Sequence, residues 1–182
     1  MLELAVSFGP GKHLSGTLAL PDELGGRPVG FIMLNAGVIH RIGPHRFNVR
    51  LARALADQGW PSLRFDLAGQ GDSDNAPQVQ AFERQIVADL RAAMDHLGRT
   101  AGVERFVIAG ICSGAHRGLA VAQEDERVIG LVDARWSCLP EPADGGAAPP
   151  AAVAARPDGH AAWLVRLAAP LAGRAAGPAH GR

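Results

Sequence analysis

The segment Ala109-Gly110-Ile111-Cys112-Ser113-Gly114-Ala115 constrains the fold of this chain more than any other. It follows the apolar run Arg105-Phe106-Val107-Ile108 and precedes small, helix-forming residues, so it predicts a strand that turns abruptly into a helix. A turn this tight brings the two backbones together, and the positions two before and two after its centre must be almost free of side chain. Gly110 and Gly114 meet that demand if Cys112 is the centre. With Ser113 at the centre, Ile111 and Ala115 would take those positions, and a β-branched residue suits so crowded a turn badly. The glycine frame therefore favours Cys112 over Ser113 as a displayed nucleophile.

The rest of the chain up to about residue 138 alternates strands with helices. Leu4 to Phe8 and Leu14 to Leu20 read as two antiparallel strands joined through Gly9-Pro10-Gly11. Val29 to Leu34 is continuously apolar, the pattern of a strand buried on both faces. Phe47, Leu51 and Leu55 fall on one helical stripe that stops at Gly59, and a short strand follows over Pro61 to Asp66. A helix is predicted from about Val79 to Leu97, with the stripe Phe82, Ile86, Leu90, Ala93 and Leu97. After the strand Phe106 to Ala109 come a helix from Gly114 to about Gln123 and a strand from Arg127 to Val132. Strands and helices of these lengths imply crossover connections, so the expected fold class is α/β, a doubly wound and mostly parallel sheet.

Composition changes near Pro140: of the 43 residues from there to Arg182, 28 are Ala, Gly or Pro. That composition does not predict a buried strand. The expected organisation is a core over 1–138 and a low-complexity tail over 139–182, with a short helix over 161–171 on the stripe Trp163, Leu164, Leu167 and Leu171. The sheet is then expected to end near Val132, leaving an open edge through which the chain could self-associate.

Charge removes several function classes. With 18 basic and 18 acidic residues the formal net charge is zero, without the basic stripe that a nucleic acid would require. No positively charged leader with an apolar core opens the chain, and no run approaches eighteen apolar residues, so a cytoplasmic protein without membrane contact is expected. Cys112 and Cys138 are too few for a disulfide framework, and Cys138 reads as a small buried hydrophobe.

Three segments together carry a resemblance: Leu34-Asn35-Ala36-Gly37-Val38-Ile39-His40-Arg41-Ile42-Gly43-Pro44-His45-Arg46, Leu63-Arg64-Phe65-Asp66-Leu67-Ala68-Gly69-Gln70-Gly71-Asp72-Ser73, and the turn around Cys112. Over residues 1 to 138 the chain resembles the α/β-hydrolase superfamily. More narrowly it is similar to bacterial hydrolase-like proteins grouped with serine aminopeptidase-type hydrolases, some of them associated with exosortase and exopolysaccharide gene clusters. The resemblance implies a sheet of about eight strands, an esterase-like or acyl-transfer activity, and a triad in the chain order nucleophile, acid, histidine. It also implies that the chain is a C-terminally truncated member.

On that basis Cys112 attacks an ester, thioester or related acyl carbonyl of a small-molecule substrate, and the helix beginning at Gly114 favours its thiolate form. The oxyanion then needs two aimed N–H donors. The resemblance assigns one to the backbone of Ser113 and the other to the loop of Asn35, Ala36, Gly37 and Val38, with Ala36 and Gly37 the candidates. Asn35 stands where many relatives carry a histidine, and reads equally well as a turn residue. Asp66 to Ser73 lacks the Lys-Ser/Thr ending of a phosphate loop and reads as a structural turn. His40 and His45 have no metal-ligand spacing and no carboxylate cluster is apparent beside them, so no metal or other cofactor is expected; both are placed at the mouth of the site. His116 reads as a surface or packing residue.

The acid and base are the weak point, since the downstream candidates are only Asp133, Asp144, Asp158, His160 and His180. Asp133, just past a strand, is the preferred acid and His160 the preferred base. The two histidines have no preceding strand to hold them, and a loosely held base contributes little. The alternative reading is therefore an inactive hydrolase remnant or a partner-binding domain.

Overall fold

Gly9 and Gly11 adopt φ of 77° and 68°, a region open to glycine at no steric cost. This lets the chain reverse between β1 (Leu2–Phe8) and β2 (Leu14–Leu20), which pair antiparallel from Leu2 opposite Leu20 to Phe8 opposite Leu14. The computed structural model describes residues 1–24, 29–35, 37–134, 153–155 and 161–166. The remaining main-body elements are β3 (Val29–Leu34), α1 (Phe47–Asp57), β4 (Ser62–Phe65), α2 (Phe82–Ala101), β5 (Arg105–Ile111), α3 (Ser113–Glu124) and β6 (Val128–Ala134). β7 (Val153–Ala155) and β8 (Ala161–Arg166) follow.

Among the described residues the strands form one eight-stranded sheet in the order β1-β2-β4-β3-β5-β6-β8-β7. The inner strands β4, β3, β5, β6 and β8 run parallel, and the antiparallel pairs lie at the two ends. The sheet is α/β and mostly parallel, with β5 between β3 and β6, as the apolar runs of the sequence imply.

The alternation of side chains across each strand sorts the helices onto two faces. On one face Ile32, Leu34 and Ile108 pack with Leu90, Met94 and Leu97 of α2 and Val121 of α3. On the other, Met33 and Ala109 pack with Leu51, Ala52 and Leu55 of α1. Leu90, Met94, Leu97 and Ile108 are fully buried, each contributing on the order of 1.5–3 kcal/mol of transfer free energy. α2 ends where Gly102 takes φ 67° and its N–H bonds back to Gly98, four residues past the terminus read from the sequence.

Two expectations change at the C-terminal side. The sheet does not end near Val132: β8 pairs parallel with β6, from Gly130 opposite Trp163 to Asp133 opposite Arg166, and β7 pairs antiparallel with β8. The edge of β6 is therefore covered. Residues 161–166 form a strand where the sequence stripe suggested a helix over 161–171. The stripe needed Leu167 and Leu171 to complete it, whereas the consecutive apolar run Ala161 to Val165 also suits a strand, and an open edge of hydrogen-bonding groups on β6 decides between them. Among the described residues no helix is long and apolar enough to cross a membrane.

Candidate active site

From β3 the chain passes through α1 to β4 on one side, while from β5 it passes through α3 to β6 on the other. The carboxyl ends of β3 and β5 thus flank a topological switch point, the place where open α/β sheets leave a crevice. Cys112 stands there, between the last residue of β5 and the first of α3. It is exposed, and its backbone holds φ 53°, ψ −114°, a region that costs a non-glycine residue on the order of 1–3 kcal/mol. The glycine frame has a direct steric basis. A Cβ on Gly110 would stand 2.3 Å from the Ala115 nitrogen, and one on Gly114 would stand 2.6 Å from the Asn35 carbonyl oxygen. The first closeness lets α3 fold back on β5; the second lets its start lie against the end of β3.

Ser113, the first residue of α3, meets the loop that follows β3. The Gly37 N–H donates to Ser113 Oγ at 2.7 Å, and Arg117 Nη1, one turn further along α3, donates to the Gly37 carbonyl at 3.1 Å. The Arg117 guanidinium also lies 5.2 Å from the centroid of the Phe82 ring, within reach of a cation–π attraction. Gly37 itself has φ 56°, and a Cβ there would point into open space. Asn35 is buried, and its Oδ1 accepts from Asn48 Nδ2 of α1 at 2.5 Å, so of its two readings the turn residue tied to the scaffold fits. Ala36 lies outside the described residues. Arg117 is not apparent from the sequence, where Ser113 reads as a candidate nucleophile and a backbone donor, its hydroxyl not as a partner of Gly37. The spacing of four residues that aligns them on one helical face was the available signal.

The Asp66 to Ser73 segment is a built turn. Asp66 is buried and accepts from the Arg41 backbone N–H at 2.6 Å, from Arg41 Nη1 at 2.5 Å and from the Asp72 N–H at 3.2 Å. Ser73 Oγ donates to the Asp66 carbonyl at 2.7 Å and accepts from the Ser15 N–H at 2.9 Å. His40, Asp66 and Asp72 bring potential ligand atoms within 4.8 Å of one another, a carboxylate grouping that the sequence reading missed. Arg41 Nη1 sits among them, 2.7 Å from Asp72 Oδ2 and 2.9 Å from His40 Nε2. A guanidinium thus holds the place a cation would take. His40 and Arg41 hold the exposed Asp72 carboxyl below the usual carboxylate range.

Asp133 is buried on β6, its backbone in register with Gly110 on one side and Arg166 on the other. It therefore sits near the carboxyl edge that carries Cys112. His116 is exposed on α3, and His45 takes φ 48° in the turn before α1. Cys138, Asp144, Asp158, His160 and His180 lie outside the described residues. Ala161 opens β8 opposite Ala155 of β7, and β8 meets β6 from Trp163 opposite Gly130 onward.

A strand, strained turn and helix at the switch point of a mostly parallel sheet define an α/β hydrolase. The family model of serine aminopeptidases, S33, matches residues 27–174, and the chain belongs to that family. Solved structures agree in fold. The α/β hydrolase GrgF from a Penicillium species is 20% identical with a TM-score of 0.60, the match covering 74% of this chain and 46% of that one. The esterase Pf2001 of Pyrococcus furiosus is 19% identical with a TM-score of 0.59, covering 74% and 49%. XC6422 of Xanthomonas campestris, described as a serine hydrolase without a lid, is 22% identical with a TM-score of 0.55, covering 72% and 60%. This chain thus spans about half the length of the solved structures it matches. No curated protein matches its sequence.

Proposed function

We propose that the protein hydrolyses ester or thioester acyl bonds of small molecules, with Cys112 as the nucleophile. The observation that carries this reading is the conformation of Cys112: exposed, at positive φ, and framed by two glycines that no larger residue could replace without collision. Strain of that kind is retained where it serves to display a side chain. Placement at the head of the twelve-residue helix α3 adds partial positive charge beside the sulfur and beside any oxyanion formed there.

In this reading the Cys112 thiolate attacks the acyl carbon, a C–S bond forms, and the carbonyl π pair moves onto oxygen. The Ser113 backbone N–H donates to that oxyanion. Collapse breaks the bond to the leaving oxygen or sulfur, which departs as alkoxide or thiolate and takes a proton from water, and the thioester left behind is hydrolysed by water to the acid and the free thiol. Val38 and Ile39, beside Gly37, and Phe82, beneath Arg117, are exposed apolar side chains suited to an apolar acyl group.

Asp133 is the proposed acid. His160, the base preferred from sequence, lies outside the described residues, and a loosely held base contributes little. Turnover of short p-nitrophenyl esters is accordingly expected to be slow, driven by thiolate attack and oxyanion stabilisation. Cys112→Ala is expected to abolish it, and the combined change His160→Ala with His180→Ala to leave it nearly intact. Turnover that survives Cys112→Ala would reject the nucleophile; turnover lost in the histidine variant would restore the tail as the source of the base.

A further inference from the structure

Gly37 and Ser113 are 76 positions apart in the sequence and meet across the switch point, through the 2.7 Å bond from the Gly37 N–H to Ser113 Oγ. A backbone amide has one hydrogen, so at this distance it is committed to the serine and cannot be aimed at a substrate as well. A hydroxyl behaves differently. Its oxygen accepts through lone pairs and still carries its own hydrogen, which rotates to meet an acceptor. Among the described residues the Ser113 hydroxyl makes no second hydrogen bond. It is partly exposed and adjoins the exposed Cys112.

Arg117 keeps this arrangement in place. Its bond to the Gly37 carbonyl holds the opposite side of the same residue, and its position over Phe82 ties the guanidinium to the start of α2. With both polar groups of Gly37 held from one face of α3, its N–H stays turned toward the serine oxygen.

We infer that the Ser113 hydroxyl is a catalytic oxyanion donor, acting beside the backbone N–H of the same residue, with Gly37 and Arg117 as positioning residues. The inference rests on Cys112 being the nucleophile. As the Sγ–C bond forms and negative charge develops on the carbonyl oxygen, the hydroxyl donates a hydrogen bond to it and keeps its proton throughout. When the carbonyl re-forms, the bond to the leaving alkoxide or thiolate breaks and the hydroxyl is released unchanged. Gly37, read from sequence as a direct donor, here acts by orienting that hydroxyl.

The test compares two reagents on the full chain. p-Nitrophenyl acetate acylates sulfur through an oxyanion; iodoacetamide alkylates it by direct displacement at carbon and forms none. Rates at Cys112 are followed by mass spectrometry in the wild type, Ser113→Ala and Ser113→Thr. In Ser113→Ala the acetylation rate is expected to fall about a hundredfold, the scale of a lost oxyanion donor, while the alkylation rate and the melting temperature hold. Ser113→Thr, which keeps a hydroxyl, is expected to recover most of the acetylation rate. Acetylation of Ser113→Ala as fast as wild type would overturn the inference, since the freed Gly37 N–H would then suffice. A parallel fall in both rates would overturn it too, by assigning Ser113 to thiol reactivity or folding. Failure of the nucleophile reading has its own signature: wild-type Cys112 acetylated no faster than a cysteine peptide of equal alkylation rate.

Discussion

Gly110 and Gly114 occupy different steric situations although the sequence presents them as a symmetric frame. A Cβ at Gly110 would collide with the backbone of α3 itself, at 2.3 Å from the Ala115 nitrogen and 2.5 Å from its Cα. A Cβ at Gly114 would collide with the Leu34 and Asn35 carbonyl oxygens of the neighbouring strand end, at 3.0 and 2.6 Å. Neither contact is the tip of a flexible side chain, so neither can be relieved by rotation. Gly110→Ala is expected to cost about 3 kcal/mol or more, at the upper end of overpacking penalties. Urea denaturation measures this, and a loss below about 1 kcal/mol would mean that α3 shifts freely. The frame was legible from spacing alone, because the steric rule is local. The bond between Gly37 and Ser113 was not, because it joins two loops that only the completed sheet brings together.

At the scale of elements, the strands β1 to β6 and the three helices follow the hydrophobic pattern of the sequence, and glycine or proline marks several of their ends. β7 and β8 escaped it. A short, continuously apolar run within an Ala-, Gly- and Pro-rich stretch has no decisive period, and the open edge of β6 selects extended backbone. The turn from Asp66 to Ser73 shows the reverse: its two glycines were legible as a turn, but the ion pair that organises it was not. Asp66→Asn would place an amide N–H₂ or carbonyl where the carboxylate now accepts from both the Arg41 backbone and its guanidinium. One of those donors would lose its acceptor or face another donor in a buried position. The expected loss is about 3 kcal/mol, in the range for breaking a buried pair from one side. Thermal or urea unfolding would show it, and an unchanged midpoint would contradict the role given to Asp66.

At the scale of the molecule, the parallel centre of the sheet and its switch point decide where chemistry is feasible. The helices lie on two faces, and Cys112, Ser113, Gly37 and Asp133 gather at the carboxyl ends of β3, β5 and β6. The chain belongs to a family named for serine, and Cys112 stands at the turn between β5 and α3. A thiolate attacks acyl carbons without needing as strong a base as a hydroxyl does. In the proposed reaction Cys112 forms the acyl-enzyme. The most direct measurement is peptide mass spectrometry after brief exposure of the full chain to p-nitrophenyl acetate and acid quenching. The expected result is an acetyl group on Cys112 that hydroxylamine removes and that Cys112→Ala lacks; an acetyl group on Ser113 persisting in Cys112→Ala, or none on Cys112, would rule Cys112 out as the nucleophile.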